Sequence, residues 1–105
     1  MNFLLAVLVA ATMSAPASTA KVEIENYAFH KASITITAGT AVTWTNQDDD
    51  PHTVTADDKS FNSEGLGQGD SWTHIFRTPG VYHYHCSVHP FMKGTVVVTT
   101  PAKHA

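Results

Sequence analysis

The chain is organised around one short stretch near its C-terminal end, Cys86-Ser87-Val88-His89-Pro90-Phe91-Met92. This stretch contains the only cysteine, a histidine three residues later, and a methionine three residues after that. A thiolate, an imidazole and a thioether are soft or borderline ligands, which suit copper better than calcium or magnesium. A trigonal site of one cysteine and two histidines, with a weak axial methionine, is typical of one-electron copper centres. The second histidine must come from elsewhere, and we predict that it is His52.

The residues that lead into this stretch predict a β-strand over 81–86, because side chains alternate between the two faces of a strand. The face predicted to be core carries Tyr82, Tyr84 and Cys86. The opposite face carries His83 and His85, which we interpret as exposed strand residues. The cysteine sulfur therefore points inward, and the loop that follows can bring His89 and Met92 around the same point. His52 follows an acidic, turn-rich segment and is expected at the same end.

Short alternating runs separated by Gly, Pro, Asn and Asp recur along the rest of the chain, with no helical periodicity. We predict strands over residues 21–25, 33–37, 41–46, 52–55, 71–77, 81–86 and 94–100. Seven to eight short strands with regular turn signals indicate an all-β fold, an antiparallel β-sandwich with Greek-key connections. Trp44 and Trp72 lie on alternating apolar faces and are predicted to fill the core.

The N-terminal end has the outline of a secretory signal peptide. Residues 3–11 are uninterruptedly apolar, a run too short to span a bilayer as a helix. We predict a signal peptide over residues 1–20, cleaved after Ala17 or Ala20, followed by a single domain over 21–105 in the periplasm. No Lys or Arg precedes the apolar run, so a retained anchor is the alternative.

Charge and cysteine content exclude several classes of function. A net charge of −3 argues against a nucleic-acid binder, which normally has a basic face. A single cysteine cannot form an internal disulfide, nor a structural zinc site with several thiolates, nor a binuclear copper centre bridged by two cysteines. A bound metal that crosslinks distant loops could stabilise such a small domain. The acidic runs 48–50 and 57–58 flank His52 and are either solvated loop or a partner-steering patch.

Three segments together resemble the type 1 blue copper proteins, or cupredoxins, and within them the amicyanin branch of the plastocyanin/amicyanin family. They are C-S-V-H-P-F-M-K-G-T-V-V-V at 86–98, V-T-W-T-N at 42–46 and P-H-T-V at 51–54. The resemblance extends from Val22 to Val98 and rests partly on the short spacing between the loop histidine and the methionine. It implies one copper ion, with equatorial ligands His52, Cys86 and His89 and axial ligand Met92.

The chain departs from the family pattern at two positions. Thr53 stands where the family commonly has an asparagine that braces the two ligand loops by hydrogen bonds. Ala32 stands where amicyanins tend to have a proline before the next strand. A threonine hydroxyl can make some of the bracing bonds that the asparagine would make.

The resemblance also implies a function, that of an electron carrier and not an enzyme, and we expect the protein to be a monomer. Its partners would be redox proteins, a quinoprotein amine dehydrogenase upstream and a c-type cytochrome downstream, with no nucleic acid and no membrane span in the mature chain. The resemblance also implies an apolar patch around the exposed edge of the loop histidine, His89, where redox partners dock. Pro51, Pro90 and Phe91 would form this patch. His85, which faces outward beside the cysteine, could mark a second route for the electron.

Other functions remain open at this point. A copper carrier or storage protein could use the same four ligands. A thiol enzyme could use Cys86 as its nucleophile, but it would need an exposed thiolate, whereas the alternation points this sulfur inward. A metal-free interaction module leaves the ligand spacing unexplained. The remaining histidines, which we interpret as structural or surface residues, are His30, His74 and His104.

Overall fold

A computed structural model describes residues 16–101 of the chain. The first fifteen residues of the predicted signal peptide, and His104, lie outside the described residues. Eight strands make up the fold: β1 (Thr19–Glu25), β2 (Ala28–His30), β3 (Ser33–Thr37), β4 (Thr40–Asn46), β5 (Thr55–Ala56), β6 (Ser71–Phe76), β7 (Gly80–His85) and β8 (Lys93–Thr99). Across the described range, no helix has the length and apolar character needed to cross a bilayer.

The strands form two four-stranded sheets, ordered β2-β1-β4-β6 and β3-β8-β7-β5. The predicted two-sheet β-sandwich is therefore confirmed. Each sheet also contains one parallel pair, β1 with β4 and β3 with β8, which the alternation did not predict. The chain crosses from one sheet to the other at every connection except β1 to β2 and β7 to β8.

Most predicted strands agree with the structure to within two residues, and the exceptions lie near the metal-ligand candidates. The predicted strand over 52–55 is wrong for most of its length, because only Thr55 at its end belongs to a strand. His52 forms an isolated backbone pair with Leu66, in which each N–H donates to the other carbonyl at 3.1 and 2.8 Å. The three-residue strand β2 was not predicted. Strand β7 ends at His85, so Cys86 is the first residue of the loop that follows.

Trp44 lies at the centre of the core, fully buried on β4, as predicted. Its indole N–H donates to the hydroxyl of Tyr84 on the opposite sheet at 3.2 Å, and the two rings form a T-shaped pair. Trp72 packs against Trp44 but is only half-buried. Burial raises the pKa of Tyr84 to about 12, so its phenol remains a neutral partner inside the core. The predicted inward face of β7 is confirmed, since Tyr84 is buried and His83 is exposed.

His74 on β6 yields a prediction for the dependence of stability on pH. Its ring stacks on Trp72 and contacts Phe61 and Phe76 with centroid distances of 5.5, 5.0 and 4.8 Å. Burial lowers the pKa of His74 below its ordinary value of 6.5. The unfolded chain therefore binds this proton at a higher pH than the folded protein does, and stability falls as the pH drops through this range.

We expect the free energy of unfolding of the copper-free protein to fall more steeply in the wild type than in His74→Gln when the pH is lowered from about 7.5 to about 5.5. Denaturant titrations at several pH values measure this difference. Parallel curves for the two proteins would show that His74 is not responsible.

Candidate metal centre

Three predicted ligand side chains converge at one end of the sandwich. His52 lies in the connection after β4, Cys86 directly follows β7, and His89 lies three residues further along the same loop. The Cys86 Sγ is 3.7 Å from Nδ1 of His52 and 3.9 Å from Nδ1 of His89. The two Nδ1 atoms are 3.2 Å apart. Within residues 16–101 this is the one group of three or more His, Cys, Asp and Glu side chains whose ligand atoms all lie within 4.8 Å of one another.

These distances fit a transition-metal ion held by one sulfur and two nitrogens. Bonds of about 2.0 Å to nitrogen and about 2.3 Å to sulfur, spread trigonally, separate the donor atoms by roughly 3.5–3.8 Å. The three observed separations lie close to that range. The donors are soft or borderline, which favours copper or zinc over oxygen-preferring cations. The residues present therefore fit a copper ion on geometry and on chemistry.

The fourth predicted residue, Met92, lies at the same end of the core. Its side chain is buried and packs in the same hydrophobic cluster as Cys86. The backbone closes the loop into a compact turn, because Met92 N–H donates to the carbonyl of His89 at 2.9 Å and Cys86 N–H donates to that of Met92 at 3.1 Å. His52 and Cys86 are completely buried, whereas His89 is partly exposed. His89 is therefore the member of the three that lies nearest to solvent.

A carboxylate fixes the orientation of the buried histidine. Asp48 Oδ2 lies 2.8 Å from His52 Nε2. Because an ionised carboxylate only accepts hydrogen bonds, Nε2 carries the proton and Nδ1 turns its lone pair toward Cys86. Partial burial acts to raise the pKa of Asp48, but hydrogen bonds from Tyr27 N–H, His52 and Asn26 N–H outweigh it and lower that pKa. Asp48 is therefore an ionised partner for His52 at neutral pH.

Thr53 joins the two loops that carry the ligand candidates. Its hydroxyl accepts a hydrogen bond from Ser87 N–H at 2.8 Å and lies 3.0 Å from the Ser87 hydroxyl. Its own N–H donates to Cys86 Sγ at 3.3 Å, which stabilises negative charge on the sulfur. Thr53 thus makes bracing bonds between the two loops, as expected for its hydroxyl from the sequence.

Besides the role of Asp48, sequence reasoning missed two residues that shape this end of the molecule. Asn46, fully buried, donates through Nδ2 to the carbonyls of Asp50 and Leu66, both at 2.9 Å, and so shapes the acidic loop. Tyr27 lies in the turn between β1 and β2, and its ring contacts both His52 and His89. An asparagine that ends a strand just before an acidic run could have suggested the first role. No local signal suggests the second.

The other histidines of the described chain lie outside the cluster. His30 Nε2 is 2.9 Å from the carbonyl of Glu25, and His83 Nδ1 is 3.1 Å from the Thr95 hydroxyl. His85 Nδ1 is 2.6 Å from the carboxylate of Asp57 at the surface. These positions agree with the interpretation of these residues as structural or surface groups.

The chain is similar in sequence and in fold to known proteins. The family model for a cupredoxin-like domain matches residues 1–98. Amicyanin-alpha of Methylorubrum extorquens is 39% identical over 93 residues, which cover 84% of this chain and 78% of the relative. Plastocyanin of Scenedesmus fuscus is 36% identical over 83 residues, 67% of this chain and 85% of that protein. The solved structure of a Cu(I) amicyanin mutant superposes with a TM-score of 0.72 at 28% identity, covering 77% of this chain and 82% of the other.

Proposed function

The chain belongs to the cupredoxin family, and on that premise we propose that it is an electron-transfer protein that carries one electron at a time on a single copper ion. The observation that carries this proposal is the cluster of Cys86 Sγ with the Nδ1 atoms of His52 and His89, all within 4.8 Å at the buried end of the sandwich. A thiolate and two imidazoles are the equatorial donors of a one-electron copper site.

The proposed ligands are His52, Cys86 and His89 in the equatorial plane, with the thioether of Met92 as a weak axial donor. When bound, copper supplies a one-electron couple between Cu(I) and Cu(II). The chain's own residues keep that couple fast by holding the donors in one arrangement. Asp48 fixes the tautomer of His52, and Thr53 ties the two ligand loops together. Little then needs to rearrange when an electron arrives or leaves, because the protein already sets the geometry.

An electron carrier and a copper carrier would use the same ligands, but the first exchanges electrons with its partners and the second exchanges the metal ion itself. Two completely buried ligands and braced loops favour the electron carrier, since a copper donor needs an open route for its metal. We expect slow copper transfer to a competing chelator together with fast electron self-exchange, measured by NMR line broadening in mixtures of the two oxidation states. Rapid loss of copper with slow self-exchange would indicate the copper carrier.

The axial position yields a prediction of its own. We expect Met92→Leu to retain copper with a higher reduction potential, because the thioether is a donor that stabilises Cu(II) more than Cu(I). Leucine has nearly the volume of methionine, so the buried side chain can be replaced with little change in packing. Voltammetry measures the potential, and the unfolding midpoint of the copper-free protein is the control. An unchanged potential would show that Met92 does not act on the metal.

The proposed partners are redox proteins that dock where His89 reaches the surface. Pro51, Pro90 and Phe91 are exposed there and provide apolar contact area. The neighbouring acidic loop 48–50 favours a positively charged partner, as a c-type cytochrome can be, while a quinoprotein amine dehydrogenase would supply the electron. We expect bimolecular rates with a cationic cytochrome to fall as ionic strength rises. Rates that do not respond to salt would argue against this steering.

We also propose that the protein is a periplasmic monomer, exported with a signal peptide that is cut after Ala17. Of the two predicted cleavage points, Ala20 is the less compatible with the fold. Thr19 and Ala20 belong to β1 and pair with β4, and the Ser18 carbonyl accepts from Ala41 N–H at 3.0 Å. The intact mass of the exported protein tests this point, since the cut after Ala17 leaves a chain that begins at Ser18.

A further inference from the structure

The turn between β1 and β2 contains an unusual tyrosine. Glu25 pairs with Ala28, so the two strands are joined by a two-residue loop, Asn26-Tyr27. Both loop residues have positive φ, 53° and 57°. Such hairpin loops strongly prefer Asn-Gly, because the left-handed conformation suits asparagine and glycine and disfavours a bulky side chain. The backbone conformation of this turn disfavours a tyrosine, so we expect its side chain to have a role that offsets the strain.

The ring of Tyr27 lies against both histidines of the metal cluster. Its centroid is 5.4 Å from that of His52 with an interplanar angle of 88°, and 5.2 Å from that of His89 with an angle of 81°. These are T-shaped aromatic contacts, a favourable arrangement for two rings. The tyrosine is 40% exposed, so it forms part of the boundary between the cluster and water.

The acidic loop holds Tyr27 in this place. Asn26 N–H and Tyr27 N–H donate to the two oxygens of Asp48, at 2.8 and 3.0 Å. The phenol hydroxyl donates to the carboxylate of Asp50. The two N–H bonds anchor the backbone of the turn to the loop that precedes His52, and the phenol bond adds a contact of the side chain with the same loop.

The two histidines differ in what else orients them. His52 is completely buried and its Nε2 is held by Asp48. For the imidazole ring of His89, the hydrogen-bond distances found within residues 16–101 involve only Nδ1 and the cluster itself. Its ring lies 4.9 Å from the His52 ring inside the cluster, and outside the cluster it contacts Tyr27 and Phe91. Phe91 is 70% exposed and lies farther away, at 6.0 Å. Among the groups outside the cluster, Tyr27 is therefore the nearer aromatic contact of His89.

We propose that Tyr27 is a positioning residue that holds the His89 ring with Nδ1 turned toward Cys86. This inference rests on the proposed function, because a ligand histidine that stays in place matters most where a metal must be kept. When Tyr27 is removed, we expect His89 to turn away from the cluster more often, and copper to leave sooner past this partly exposed residue.

Three variants test this role. Tyr27→Gly creates the preferred Asn-Gly loop, so the copper-free protein is expected to unfold at the same temperature as the wild type or higher, while the ring is lost. Tyr27→Phe keeps the ring and loses only the bond to Asp50. Lys59→Gly is the matched control, because Lys59 also has a positive φ, of 67°, in an exposed turn elsewhere.

Two measurements are made on each variant. In the copper-free protein, NMR relaxation of the histidine ring reports the order of His89, which we expect to fall in Tyr27→Gly only. In the copper-loaded protein, the rate of Cu(I) transfer to bathocuproine disulfonate should rise roughly 2- to 10-fold in Tyr27→Gly, the range expected for losing one aromatic pair. Tyr27→Phe and Lys59→Gly should behave as the wild type does.

An equally ordered His89 and an unchanged transfer rate in Tyr27→Gly would overturn the role of Tyr27, as would the same changes in Lys59→Gly. If the wild type binds no copper, the proposed function fails, but the relaxation measurement on the copper-free protein still decides whether Tyr27 orients His89. The two failures are therefore distinguishable.

Discussion

Cys86→Ser is expected to abolish the intense visible absorption of the copper-loaded protein completely. The colour of a copper–thiolate centre arises from charge transfer between sulfur and Cu(II), and a serine hydroxyl cannot supply it. The sulfur is fully buried and lies 3.7 and 3.9 Å from the two histidine nitrogens. It also accepts a hydrogen bond from Thr53 N–H. Serine is smaller, so the fold should tolerate it, and any copper that still binds should be pale.

Val88→Ser is the matched control for this substitution. It places the same hydroxyl in the same loop, on a side chain that is 54% exposed. The absorption of Val88→Ser should equal that of the wild type. An intense band that persists in Cys86→Ser would mean that the thiolate is not a ligand.

Gly94→Ala is expected to destabilise the protein by about 3 kcal/mol, the upper part of the range for overpacking a core. A Cβ at this position would lie 2.2 Å from Cζ and 2.3 Å from the hydroxyl oxygen of Tyr84. Tyr84 is directly opposite Gly94 on the paired strand. Its ring cannot move aside easily, because it is buried against Trp44 and accepts the hydrogen bond from that indole. Denaturant unfolding of the copper-free protein measures the loss.

Gly65→Ala is the control for the effect of a glycine substitution as such. Gly65 is exposed, and a Cβ there would have nothing within 4 Å. The free energy of unfolding of Gly65→Ala should be close to that of the wild type. If Gly94→Ala were no less stable than Gly65→Ala, the close packing of Tyr84 against β8 would be contradicted.

Features that depend on neighbouring residues could be predicted from the sequence. Alternation along the chain predicted β3 to the residue, together with the inward face of Tyr84 and Cys86, because side chains in a strand alternate whatever the sheet around them. It could not predict that β1 and β4, or β3 and β8, pair in parallel. That choice depends on where distant strands come together, and no local pattern encodes it. The short strand β2 was missed because its turn lacks the usual glycine signal.

The candidate site also contains residues that could be proposed from the sequence and residues that could not. Cys86, His89 and Met92 could be proposed together because they lie within seven residues of one another, and His52 was proposed from its place after the acidic segment and from the family resemblance. The structure brings His52, Cys86 and His89 together. The groups around them could not be predicted. Tyr27 precedes Cys86 by more than half of the chain, and only the folded arrangement brings its ring to the histidines. Asp48 lies just four residues before His52, but it is one of three consecutive aspartates, and the sequence does not show which of them holds the ring.

The most direct test of the copper assignment is to add Cu(II) to the purified copper-free protein and to record its visible and electron paramagnetic resonance spectra. The account predicts that one equivalent binds, with intense visible absorption and the small copper hyperfine splitting of a thiolate-bonded centre. A pale product with the large splitting of ordinary tetragonal Cu(II), or no stoichiometric binding, would contradict it.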